Sequence, residues 1–189
     1  MDKTSKNTAY FVFVGLAIIL LIMGVLLSGF SSTQGSFGPP DFNRLVEGYK
    51  VILTHPSMID FDGLKQAGQF GSAFFNSGML LLVVLLVYQI TRTDLQGVQI
   101  AAALKGLGFS FYGKNILNIW FPIIGVLIHT KVMRQPLKSG TALAFFSTAL
   151  SPVFSQLAFG MTDKFMDAGV GLAPFTTTAY ILAGVFGIL

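Results

Sequence analysis

Long apolar runs separated by short polar intervals dominate this chain, and most of them are long enough to be helices. The first, Tyr10 to Phe30, is 21 residues without a charge. A helix needs about 20 residues to cross a hydrocarbon layer. Lys3 and Lys6 precede the run, so a secretory signal peptide is the rival reading. The run exceeds the ~7–15 apolar residues of a signal core, and no small-x-small cleavage site follows it. A retained first helix is therefore expected. Gly35, Gly38, Pro39 and Pro40 then break the pattern.

Asp41 is placed to cap the next helix. In it Phe42, Leu45, Val46, Tyr49, Ile52 and Leu53 recur at helical spacing, opposite Asn43, Arg44, Glu47 and Lys50. This helix is too short and too charged to cross a membrane. It fits a position in the membrane interface, or one packed on the protein's own surface. His55-Pro56 ends it.

Further apolar segments follow at about Ser72 to Ile90, Val98 to Tyr112, Ile116 to Thr130 and Thr141 to Met161, the last containing Pro152. A sixth begins near Gly169 and is still apolar at Leu189. The expected fold is all-α: a polytopic integral membrane protein with about six hydrophobic segments, one interfacial amphipathic helix and a broken or short helix pair at 98–130. Residues 1–189 read as a single transmembrane domain, with 31–71 as an extramembrane or interfacial segment. The apolar ending ILAGVFGIL suggests the N-terminal part of a longer protein.

Composition agrees with lipid as the solvent. Hydrophobic residues make up 53% of the chain and charged residues 11%, with a mean hydropathy of +0.72. Soluble domains carry about 25% charged residues. A net charge of +4 raises the question of nucleic acid, but the twelve Lys and Arg are scattered singly between apolar runs and form no basic stripe. Their distribution instead sets an orientation. Six crossings starting inside would put Lys3, Lys6, Arg92, Lys131, Arg134 and Lys138 on one side, against Lys114 and Lys164 in the short connections opposite. By the positive-inside rule the N-terminus is cytoplasmic, in an inner (plasma) membrane.

Enzymatic chemistry finds little support. The absence of Cys excludes disulfides, thiolate nucleophiles and Cys-ligated metals. Neither GxSxG nor HExxH occurs, and the two His residues stand 74 positions apart. Gly108 to Asn115 nearly matches a phosphate-binding loop, but Asn115 stands where Ser or Thr would hold magnesium, and apolar segments flank it. No catalytic residue, metal site or cofactor is expected, and the chain is not read as an enzyme.

The most informative region is the segment pair at 98–130. Lys105, Ser110, Tyr112, Lys114, Asn115 and Asn118 cluster there, and a single straight helix through it would be about 50 Å long. The chain must therefore turn or unwind, and Gly113 is the cheapest place. Asn115 and Asn118 could then satisfy the freed backbone groups. One reading is a functional break of the kind that forms transporter sites, with Asn76 and the Pro152 break opposite. The other is a plain loop between two spans, with Lys105 snorkelling to the surface. Ala102, Gly106 and Ser110 form a small-xxx-small ridge suited to close helix packing.

The blocks GSAFFNSGMLLLVVLLVYQIT, GVQIAAALKGLGFSFYGKNILNIWFPIIGV and GTALAFFSTALSP resemble a bacterial membrane family known as domain of unknown function 1576. That resemblance implies multi-pass helices and no assigned activity. GFSFYGKN, in its Phe-rich setting, is more loosely similar to urea transporters, from which it departs at Lys105 and Lys114. The functional expectation is a transporter or channel for a small polar solute, bound by Asn76, Lys105, Ser110, Tyr112, Lys114, Asn115 and Asn118. The alternative is a non-transporting membrane scaffold or assembly subunit. The partners expected are the lipid bilayer, such a solute and further copies of the chain, with no nucleic acid.

Overall fold

The computed structural model describes residues 3–31, 36–54 and 70–155. The sixth apolar segment, the polar stretch around Asp163 and the His55-Pro56 stop lie outside them. Helix α1 is Lys3–Leu26, extended by a short 3-10 turn at Leu27–Gly29. A two-residue hairpin, β1 (Phe30–Ser31) against β2 (Ser36–Phe37), leads into α2, Phe42–Thr54. The remaining helices are α3 (Phe70–Ile90), α4 (Gly97–Phe109), α5 (Trp120–Val132), α6 (Leu137–Ser147) and α7 (Ser151–Ser155).

Two helices are long and apolar enough to cross a membrane, Thr8–Gly29 within α1 and its 3-10 extension, and Phe70–Ile90. They pack against each other at very short range. Phe13, Ala17, Leu20 and Gly24 fall on one stripe of α1 and are buried, while Phe11, Ile18, Ile19, Ile22 and Leu26 on the outer side are exposed. Small residues bring the backbones together. A Cβ at Gly24 would lie 2.8 Å from the backbone nitrogen of Phe75, and one at Gly71 would lie 2.5 Å from the carbonyl oxygen of Gly24. Any side chain there would force the two helices apart.

Asp41 caps α2 as its position suggests: its carboxylate accepts the Arg44 N–H at 3.1 Å. The apolar face of α2 is turned onto the protein, with Leu45, Gly48 and Ile52 buried, and Ser72 of α3 donates to the Leu45 carbonyl at 3.0 Å. The helix is thus packed on the protein's own surface. Phe42 departs from the expected buried face and is 70% exposed.

The helix pair at 98–130 is short and broken in the middle, as expected. Helices α4 and α5 have 13 residues each, about 20 Å, against a hydrocarbon thickness of ~30 Å. They form a hairpin with both outer ends at one end of the bundle. Arg92, just after α3, lines one cavity with Gln96 and Gln99 at the start of α4 and Lys138 of α6. Thr93 and Thr141 share a hydrogen bond at 3.2 Å. Tyr10 of α1 lines a second cleft with Arg92, so α1 starts at this end too. The N-terminal helix and the Lys131–Lys138 turn thus share one end, as the charge distribution suggests.

Two turns at that end use a residue type the pattern does not announce. Arg92 and Arg134 have φ of 53° and 57°. Each is the left-handed residue of a Schellman cap. Thr93 N–H bonds to the Tyr88 carbonyl and Arg92 N–H to Gln89, and Gln135 N–H bonds to Thr130 and Arg134 N–H to Lys131. Glycine is the usual residue in that position because it has no Cβ to clash. The expected fifth segment from Thr141 to Met161 is also modified. α6 starts earlier, at Leu137, and gives way to a 3-10 turn at Thr148–Leu150 before α7, in which Pro152 is the second residue.

Candidate functional site

The hairpin tip is built by asparagines. α4 ends at Phe109, and Gly113 takes φ of 81°, the positive value that only glycine adopts freely. Asn115 then starts a new turn. Its side-chain oxygen accepts the N–H groups of Leu117 at 2.9 Å and Asn118 at 3.1 Å, while Asn118 reaches back to the Asn115 N–H at 2.9 Å. This is the reciprocal arrangement of a capping box, with two asparagines three residues apart in place of Ser/Thr and Glu/Gln. The turn continues through Ile119, whose N–H bonds to the Asn115 carbonyl at 3.3 Å, into α5.

The same two side chains tie the tip to other helices. Asn115 donates to the Ile52 carbonyl near the end of α2 at 2.8 Å. Asn118 donates to the Gly113 carbonyl at 2.8 Å and to the Ser155 hydroxyl of α7 at 2.7 Å. From α3, the Asn76 amide donates to the carbonyls of Ser110 at 3.0 Å and Lys114 at 2.8 Å. The hydroxyls of Ser77 and Ser110 are in hydrogen-bond contact, and Ser110 also bonds to the Leu107 carbonyl. Asn76 sits fourteen residues before Ile90, so the tip lies about 21 Å from the end of the bundle where the hairpin starts.

Of the expected site residues, Asn76, Ser110, Lys114, Asn115 and Asn118 are brought together and fully buried, none above 2% exposed. The connection between the two helices is therefore buried at these residues. Lys114 is 1% exposed, and the ion pair seen among the described residues, Lys50–Glu47, does not involve it. It lies against α4, where a Cβ on Gly106 would be 3.0 Å from Nζ. Gly106 therefore makes room for the Lys114 side chain, a different use from the helix-helix ridge its spacing suggests.

Lys105 flanks the site and is half-buried. Its ammonium donates to the Phe146 carbonyl at 3.2 Å and lies 5.1 Å and 5.6 Å from the ring centres of Phe146 and Phe109. It is held by one carbonyl and two rings of the protein. Tyr112 does not join the cluster: it is 55% exposed and points away from the tip.

Several participants were not legible in the sequence: Ser77, the Ile52 carbonyl, Tyr49, Ser151 and Ser155. The hydroxyl of Ser151, the side-chain oxygen of Asn76 and the hydroxyl of Tyr49 are buried without partners. Tyr49 stacks edge-on against Phe75, and burial pushes its hydroxyl up to about 12, so it remains a neutral donor. The spacing of Ser151 and Ser155 beside Pro152 was the available signal for α7. Asn115-x-x-Asn118 was the signal for the capping box.

A separate cleft of about 430 Å³ opens at the far end of the bundle, between Tyr10 and Phe11 of α1 and the turn carrying Arg92 and Asp94. Among the described residues no group of three or more His, Cys, Asp or Glu is arranged to hold a metal ion.

No curated protein and no solved structure matches this chain. A family model does, that of the Protein of unknown function (DUF1576), over residues 42–188. The match takes in α2 through α7, including every residue of the hairpin tip, and by it the chain belongs to that family.

Proposed function

We propose that this chain is a multi-pass membrane protein that moves a small polar solute, and that the tip of the α4–α5 hairpin is its central site. The observation that carries this reading is Lys114 buried beside a helix break that is held open by Asn76, Asn115 and Asn118. A membrane setting is supported by α1, whose outer face is apolar and exposed where a water-soluble helix would be polar. In that setting α4 and α5 enter and leave at one surface without crossing. Non-helical backbone at such depth is tolerated only where protein or a water-filled path supplies its hydrogen bonds. Broken helices of this kind line the solute sites of many transporters.

The end carrying Arg92, Lys131, Arg134 and Lys138 is read as cytoplasmic, which places the N-terminus there as well. No catalytic group is assigned. The experiment is solute entry into liposomes containing the purified protein, followed by light scattering for urea and glycerol and by ion-selective electrodes for chloride and nitrate. At least one solute should move faster than in protein-free liposomes. Asn118→Ala should slow it by roughly tenfold or more while insertion is retained, because losing a single buried hydrogen-bonding group costs about 1–3 kcal/mol. The mutual satisfaction of the asparagines equally suits a purely structural tip. No acceleration for any of the four solutes would favour that scaffold role.

A further inference from the structure

We infer that the hairpin tip binds a small monovalent anion, with Lys114 as its direct ligand and Lys105 as a flanking cation. This names the solute class for the site proposed above and rests on that placement of the site, though not on movement across a membrane. The first argument is charge. Among the described residues the carboxylates are Asp41, Glu47 and Asp94. Asp41 caps α2, Glu47 pairs with Lys50 on the exposed face of that helix, and Asp94 lies at the opposite end of the bundle. None faces the tip, yet Lys114 is withdrawn from water there. An ammonium buried without a counter-charge is strongly unfavourable, and an anion would relieve it.

The second argument is the set of hydrogen-bonding groups available there. The Lys114 side chain, 1% exposed, can supply an ammonium with three donors, and the Ser151 hydroxyl is buried without a partner. Ser151 stands one helical turn before Ser155, which is hydrogen-bonded to Asn118, so both serines lie on the face of α7 turned toward the tip. Lys114 Nζ lies beside Gly106, the residue next to Lys105 on α4, and Lys105 reaches across to the Phe146 carbonyl where α6 gives way to the 3-10 turn. Two lysines and a hydroxyl without a partner thus lie along the packing of α4 against the α6–α7 link. Lys105 is already engaged by a carbonyl and two rings. Among the described residues the Lys114 ammonium has no counter-charge, and a single negative charge would balance it.

Binding is read separately from flux. The protein, purified in a mild detergent, is melted in sodium nitrate, chloride or formate against sodium gluconate at matched ionic strength. The melting temperature should rise saturably with at least one of the small anions and not with gluconate. Lys114→Met should abolish that rise, and Lys114→Arg, which keeps the charge, should retain it. Lys105→Gln should weaken the apparent affinity roughly tenfold, as expected for loss of a nearby charge in a partly screened site. An absent anion response in the wild type, or one that persists in Lys114→Met, would overturn the proposal. So would loss of stability in Asp60→Asn/Asp62→Asn or Asp163→Asn/Asp167→Asn equal to that in Lys114→Met, since the counter-ion would then belong to the chain itself. Anion-dependent melting without any solute flux would remove the transport reading and keep this one. Flux of urea or glycerol with no anion response would do the reverse.

Discussion

Replacing Asn115 by alanine tests the construction of the hairpin tip most directly. The substitution removes two hydrogen bonds that cap the new turn, from the N–H groups of Leu117 and Asn118, and one that ties the tip to α2 through the Ile52 carbonyl. Losing an asparagine N-cap costs about 0.5–2 kcal/mol. Leaving a buried carbonyl without a donor costs about 1–3 kcal/mol. Together these give a loss of about 1–4 kcal/mol, since the two effects share one side chain and will not add fully. Asn115→Ser separates them: a serine hydroxyl can cap the turn but is too short to reach Ile52, so it should recover about 1 kcal/mol. The chain's single tryptophan, Trp120, opens α5 five residues later and is a built-in reporter. Denaturant titration in detergent, followed by its fluorescence, gives the stabilities. An alanine variant within about 0.5 kcal/mol of wild type would refute the account of the tip, as that is the range of an unremarkable surface substitution.

Other perturbations test the frame around it. Gly71→Leu should destabilise the α1–α3 pair by about 1–3 kcal/mol or prevent folding, as expected for overpacking. Gly15→Ala should be neutral, because nothing lies within 4 Å of a Cβ there; equal effects at the two positions would contradict the close approach. Asn76→Leu leaves the carbonyls of Ser110 and Lys114 without their donor and should cost about 2–6 kcal/mol in the same titration, from about 1–3 for each orphaned group. In a chain without cysteine, Thr93→Cys with Thr141→Cys should form a disulfide on mild oxidation, visible as altered gel mobility. Failure to cross-link would separate the α3–α4 turn from α6. A lone Gln135→Cys should resist a membrane-impermeant thiol reagent in intact cells; labelling there would reverse the assigned orientation.

The break was legible because length and chemistry agreed on it. An apolar stretch of 33 residues cannot be one straight span, and Gly113 is where positive φ costs least. The role of Asn115 and Asn118 in satisfying freed backbone groups followed from their residue type. What stayed hidden depended on distance through the fold. Ile52 is 63 residues from Asn115 and Ser155 is 37 from Asn118, so nothing in the local pattern connects them. Tyr112 was placed in the site by adjacency alone, but the turn at 110–113 rotates its side chain outward. Arg92 and Arg134 concealed two helix caps because an arginine at positive φ carries no sequence signal, whereas glycine would have.

The helix pair at 98–130 is short in both arms and buried at its tip, and one physical cause runs through the whole site. An apolar run of 13 residues is equally at home as a short span and as a core helix, and periodicity alone does not separate them. The polar residues between the two arms decide. If the connection faced water, Lys114 would be solvated, and Asn76, on another helix, would have no carbonyls to bind. Because the tip is enclosed by α2, α3 and α7, its free carbonyls must find donors inside the protein, and amide side chains are the groups able to donate and accept together. Asn76, Asn115 and Asn118 are thus consequences of burying a turn. Lys114 is different in kind: no backbone group at the tip requires a cation, and among the described residues none answers it with charge. The asparagines account for how the break is held, and the lysine is what remains for a ligand to explain.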